Sequence, residues 1–284
     1  MSELRPALAS LFAALLCSGL LLVGFGFDRA HAAGPKDPFD SPMWEDLRDE
    51  FIGDADYVFD PRVKVSVPLV VENQAQVPVT IDARQLKGVE KVVVFADLNP
   101  IQHTLTLTPT AAAPFVSFRL KVEQATPVRA AVLTSDGVWH VGGKYLDAAG
   151  GGCSAPAMAR NQPDWALTVG NTRGRAWRQA DGLARFRMTI KHPMDTGLAQ
   201  NNIPAFYIEE VFVRDNSGKV LAKIEMREPV SEDPTLTMMV RLPVKDRSIQ
   251  VDSRDIGGNL FSSKIDTSWK ESRLAVPGRA EVRR

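Results

Sequence analysis

The stretch Gly150-Gly151-Gly152-Cys153, followed by Ser154-Ala155-Pro156, holds the residues best suited to chemistry. The sequence has two cysteines, and the other, Cys17, falls in an amino-terminal segment with the features of a cleaved leader. The mature chain would then carry one thiol. In an oxidising compartment a single cysteine has no internal disulfide partner, so it is buried and inert, paired with another molecule, or kept free for chemistry. Three glycines offer no side chains to bury it and are entropically costly to fix, so the expectation is an exposed thiol on a mobile arm. The thiolate is the nucleophile, and Lys144 and Arg160 are candidate cations to favour it. Fully extended, the chain from Asp147 would carry the sulfur roughly 20 Å outward. That reach suits a carrier that presents a covalently attached group, and Gly150, Gly151 and Gly152 are its candidate flexible segment. An incidental linker cysteine fits the composition equally well.

Other chemistry finds less support. His192-Pro193-Met194 pairs an imidazole with a thioether, both copper ligands. Behind the leader, however, only His103, His140 and His192 remain, and none is spaced as a metal pair. No bound metal or cofactor is expected. No glycine-rich phosphate loop stands between a strand and a helix, and no Gly-x-Ser-x-Gly elbow is present. Acidic pairs such as Asp46/Glu50 and Glu209/Glu210 read as solvated faces.

Positioning elements must come from 284 residues that are 44% apolar, a length that suggests two domains. Lys and Arg total 34 and balance 34 Asp and Glu, with no dense basic stripe, which argues against a nucleic-acid partner. Residues 1–32 read as a signal peptide: Arg5, an uncharged run from Ala7 to Phe27, then Ala30-His31-Ala32 as a small-x-small cleavage site. Retained, the same run could span a bilayer as an anchor, the one membrane contact expected. Either way the rest of the chain is expected outside the cytoplasmic membrane, in the periplasm.

Ser41 to Gly53 predicts a short helix, with Ser41 as N-cap, Pro42 in the first turn and Trp44, Leu47 and Phe51 on one face. From Val63 the pattern changes to period two. Runs at 63–67, 77–81, 90–96, 115–122, 128–133 and 138–141 are strands, with Ser135-Asp136-Gly137 as a hairpin turn. A second set follows at 183–190, 205–213, 220–226, 235–242 and 248–251. The fold class is therefore all-β: two immunoglobulin-like β-sandwich domains, at 40–146 and 164–272, with one short N-terminal helix. Residues 147–163, rich in Gly and Ala and without periodicity, form the flexible linker that carries Cys153, and 273–284 form a polar tail.

Gly151-Gly152-Cys153 behind a β-rich domain resembles the Gly-Gly-Cys-Gly-Gly arm of SoxY, the carrier subunit of bacterial sulfur oxidation. The second half resembles its partner SoxZ, in Ile190-Lys191-His192-Pro193-Met194-Asp195-Thr196-Gly197 and in Ile203-Pro204-Ala205-Phe206-Tyr207-Ile208. Together they look like the fused SoxYZ-like carriers associated with quinoprotein dehydrogenases. The resemblance implies a non-enzymatic periplasmic carrier with Cys153 as the attachment point for sulfur intermediates. Its implied partners are enzymes of sulfur oxidation, such as thiosulfate oxidation, or a quinoprotein dehydrogenase. Two departures stand out: the arm is internal, and Ser154-Ala155 replace the two glycines after the cysteine. An adaptor docking on a quinoprotein dehydrogenase system, with an incidental cysteine, is the alternative. An exposed thiol also predicts a Cys153-linked dimer under oxidising conditions.

Overall fold

The computed structural model describes residues 34–179, 183–200, 202–243 and 245–267; the expected leader, with Cys17, and the polar tail lie outside them. The first helix, α1 (Trp44–Phe51), begins later than its sequence signature because Ser41 Oγ accepts the Met43 N–H at 3.4 Å and forms a local turn instead of a cap. Gly53, at φ 66°, ends it by donating to the Arg48 carbonyl at 3.0 Å. No helix among the described residues is long and apolar enough to cross a membrane.

Strands β1 (Tyr57–Phe59), β2 (Lys64–Ser66), β3 (Val77–Asp82), β4 (Val89–Ala96), β5 (His103–Thr108), β6 (Ala112–Leu120), β7 (Thr126–Thr134) and β8 (Trp139–Leu146) make the first half. After a 3-10 turn (Met158–Asn161) and the short α2 (Trp165–Thr168), seven more make the second: β9 (Thr172–Arg178), β10 (Ala184–Ile190), β11 (Ile208–Arg214), β12 (Val220–Met226), β13 (Thr235–Val240), β14 (Ser248–Asp255) and β15 (Leu260–Asp266). Each half is a sandwich, as the strand pattern predicts. The halves are also joined more closely than a linker alone would join them. One sheet runs β1-β8-β7-β4-β5-β12-β11-β14-β15 and the other β2-β3-β6-β13-β10-β9, so both pass through both halves. The seams are β5 against β12, with Leu107 opposite Ile224, and β6 against β13, with Val116 opposite Met238.

A single core lies between the sheets, filled from both halves by residues such as Val79, Ile81, Phe118, Phe186, Met188 and Met238. Strand β4 is buried on both faces because Val92 and Val94 enter that core while Val93 and Phe95 meet a second cluster under α1. Trp44 and Leu47 anchor α1 there against Trp139 and Val141, which fulfils the expected docking of the helix on the sheet.

Candidate functional site

Cys153 is enclosed at the seam between the halves, with none of its surface exposed. This corrects the expectation of an exposed thiol on a mobile arm, and the reason lies in what the glycines do. Gly151 donates to the Glu123 carbonyl at 3.3 Å and Gly152 to that of Val122 at 2.8 Å, so the arm lies along the segment that leaves β6. A Cβ on Gly150 would stand 2.1 Å from the Glu123 carbonyl oxygen, and one on Gly152 would stand 2.1 Å from that of Gln74. Gly150 and Gly151 also adopt φ 98° and 86°, which favours glycine. The lack of side chains serves close approach rather than reach.

Residues 121–123 form the floor of the seat. Asn99 fixes them, donating through Nδ2 to the Lys121 carbonyl at 2.9 Å and accepting the Glu123 N–H on Oδ1 at 3.0 Å. The Glu123 carboxylate turns to the arm: Oε2 accepts the N–H groups of Cys153 and Ser154, each at 3.0 Å, and Oε1 accepts the Ser154 hydroxyl at 2.9 Å. The thiol donates to the Lys121 carbonyl at 3.4 Å. From the second half, Thr196 Oγ1 donates to the Cys153 carbonyl at 2.6 Å.

Thr196 belongs to a tightly organised loop, His192 to Gly197. His192 Nδ1 accepts the Met194 N–H at 3.1 Å, Met194 Sδ accepts the Ile208 N–H at 3.3 Å, and Met194 sits at φ 52°. His192 Nδ1 and the Met194 thioether are thereby engaged by backbone N–H groups. Arg160 grips Asp195 Oδ2 through Nε and Nη2 at 2.8 and 2.5 Å and stacks over Trp165. Arg160 therefore serves Asp195 rather than the thiol, and Lys144 is exposed on β8. The cation that acts on the sulfur is Lys121, itself buried, whose ammonium donates to the carbonyls of Met194 and Glu228.

Burial dominates the electrostatics. It pushes the Cys153 thiol up to about 12, with the Glu123 charge adding to the rise and Lys121 opposing it. The Lys121 amine is pulled down to about 8 by the same desolvation, against the attraction of the Cys153 thiolate and Asp195. Near neutral pH the seat holds a neutral thiol beside an ammonium. With the sulfur enclosed, a disulfide between two chains requires the arm to leave its seat first, so the expected Cys153-linked dimer does not follow from this arrangement.

His192 gives the site a pH dependence. Burial holds it near 4, although Asp255, whose Oδ2 lies 3.8 Å from Nε2, favours the charged form. The folded state thus binds fewer protons than the unfolded one between that value and the ordinary 6.5. Its contribution is complete above the unfolded value and is lost as pH falls towards the folded one. Acidification from about pH 7 to about pH 4.5 should cost about 2–3 kcal/mol through this residue. Urea unfolding at the two pH values measures this together with the like contribution of His103, which burial also holds near 4; His192→Gln should remove about half of the difference, and an equally steep loss in the variant would assign it elsewhere.

Lys121, Glu123, Asn99 and Thr196 were not singled out as site residues by the sequence. Thr196 lay within the quoted SoxZ-like motif, whereas Lys121 occupies a strand-like position where alternation predicts exposure, yet Leu120, Lys121 and Val122 are all buried.

The sequence profile of sulfur oxidation protein SoxY matches residues 48–153, and that of sulphur oxidation protein SoxZ matches residues 173–266. The order is the one expected; the first match ends on Cys153 and the second contains Thr196. No curated protein matches the chain. Among solved structures, the sulfur carrier protein SoxY from Chlorobium limicola f thiosulfatophilum is 18% identical, over 37% of this chain and 94% of that one, with a TM-score of 0.33. The tetra-tandem repeat in the extending region of a large adhesion protein is 15% identical over 72% of this chain and 48% of that one, with a TM-score of 0.20. A glycosyl hydrolase family 2 member from Bacteroides cellulosilyticus DSM 14838 is 16% identical over 70% of this chain and 25% of that one, also at 0.20. These superpositions are too loose to carry residue roles across.

Proposed function

We propose, since this chain belongs to the SoxYZ-like fusions with its SoxY part ahead of its SoxZ part, that it is a non-enzymatic carrier of sulfur-containing intermediates. The group is held covalently on Cys153 and handed to partner enzymes of sulfur oxidation or to a quinoprotein dehydrogenase system, in the periplasm. The observation that carries this reading is the place of Cys153: the SoxY match ends on it, and the SoxZ part holds its carbonyl through Thr196. The seat offers the sulfur a buried ammonium and a carbonyl acceptor, Lys121 O, and among the described residues no imidazole hydrogen-bonds the thiol as a base. A chemistry that needs proton transfer at the sulfur must therefore draw on a partner's groups.

The enclosure of the thiol favours a second reading, an adaptor whose folded surface does the work while Cys153 stays inert. Cys153→Ser separates the two. Under the carrier reading this variant folds normally and loses sulfur-dependent function completely in cells that depend on the protein. Full function in Cys153→Ser would remove the carrier reading and leave the adaptor.

A further inference from the structure

We infer that Glu123 and Thr196 are positioning residues for Cys153, forming a two-part latch that holds residues 150–154 in their seat and whose release makes the thiol available. The inference rests on the reading of Cys153 as the attachment point and deepens it. Both residues hydrogen-bond the arm through its backbone and the Ser154 hydroxyl, and neither bonds the Cys153 sulfur. Glu123 collects three donors from Cys153 and Ser154 on one carboxylate, all within 3.0 Å. Thr196 reaches the same residue from the other half of the protein at 2.6 Å. A charged acceptor serving three donors is stronger than a neutral one, and the Thr196 bond adds a contact from the opposite wall. The two walls are themselves tied together, since Lys121 on the floor donates to the carbonyl of Met194 in the loop that holds Thr196.

The seat has little space to spare. Cys153 is completely enclosed, and Gly152 passes so close to Gln74 and Val122 that a Cβ there would meet carbonyl oxygens at 2.1 and 2.7 Å. While the arm is seated the sulfur meets no solvent, so no partner can reach it, and the latch must open before the thiol takes up or hands over a group. In this account the Ser154 that replaces a glycine of the SoxY arm is a functional departure: its hydroxyl supplies one of the three bonds to Glu123.

The test is the rate of alkylation of the full chain by iodoacetamide, which reports arm opening without any sulfur compound or partner. Thr196→Ala should raise the rate constant about 10-fold and Glu123→Ala about 100-fold, from the number and charge of the bonds lost. Thr196→Ser should restore the slow rate. Gly152→Ala, which cannot seat the arm, should react at least as fast as Glu123→Ala. The reaction should be nearly independent of urea below the unfolding transition, because only the arm moves. Unchanged rates in the folded Ala variants would overturn the latch, as would a urea dependence as steep as that of global unfolding. Failure of the carrier reading looks different: no sulfur adduct on native protein, with the alkylation pattern intact.

Discussion

Replacing Arg129 by Met should lower the stability of the folded chain by about 3–5 kcal/mol, because it strips a buried cation from the buried carboxylate of Asp97 and the half-buried one of Asp37. The Arg129 side chain is fully enclosed; its Nε and Nη2 bond Asp97 at 2.8–3.0 Å, and its Nη1 and Nη2 bond Asp37 at 2.7 and 2.8 Å. Its guanidinium also lies against the rings of Phe39 and Trp44, with centroids at 4.8 and 4.5 Å. One residue of β7 thus ties the segment before α1, the helix and the β4 exit to the outer face of the sheet. Burial raises Asp97, the opposing pull of Arg129 notwithstanding, while Asp37 is held below the ordinary carboxylate range by its bonds to Arg129 and to backbone N–H groups, against its own burial. Removal of the cation leaves Asp97 with its desolvation cost and only the Ser41 hydroxyl to offset it. Urea unfolding should show the loss, with Tm falling by roughly 10 °C for a domain of this size. The deficit should shrink in acid, where the orphaned carboxyls can take up protons. A loss below about 1 kcal/mol would mean that the network does not hold the helix in place.

The second large effect concerns the thiol itself. In the seat it is pushed from 9.0 up to about 12, so near neutral pH the thiolate fraction is about 1000-fold lower than in an exposed cysteine. Alkylation also needs the arm out of its seat, so native protein should react with iodoacetamide at least about 100-fold more slowly than the same chain in concentrated urea, the factor expected from losing the Glu123 bonds. Comparable rates in the two states would show that the seated arrangement is not the one populated in solution. The consequence for function is direct: a carrier with this resting state spends most of its time protected from oxidation and indiscriminate exchange, and its chemistry begins when the arm is released.

The sandwich character was readable in the sequence because β3 and β10 alternate cleanly, with Val77, Val79 and Ile81 or Ala184, Phe186 and Met188 inward. Four strands escaped notice, the edge strands β1, β9 and β15 and the interior β5, and for two of the edges the reason is equally physical. β9 and β15 end their sheets, most of their residues are polar, and each buries a single residue fully, Ala176 and Ile265. The sheet continuity across the halves was also illegible, since alternation identifies a strand's faces and not its edge partners. At the site, sequence reasoning found Cys153 and its glycines and misjudged their purpose. A run of small residues signals low steric demand, and the choice between reach and close packing rests on Gln74 and Glu123, which are distant in sequence. Arg160 was a fair candidate partner by proximity along the chain, but Lys121, more than thirty residues away, holds that place.

The central claim is that Cys153 carries sulfur. Its most direct test is the intact mass of protein taken from its native source without reductant, measured before and after reduction and beside Cys153→Ser. The carrier account predicts a reducible adduct on Cys153, with added mass corresponding to sulfur or a sulfur oxyanion, absent from the variant. An unmodified thiol under all growth conditions that require the protein would contradict it.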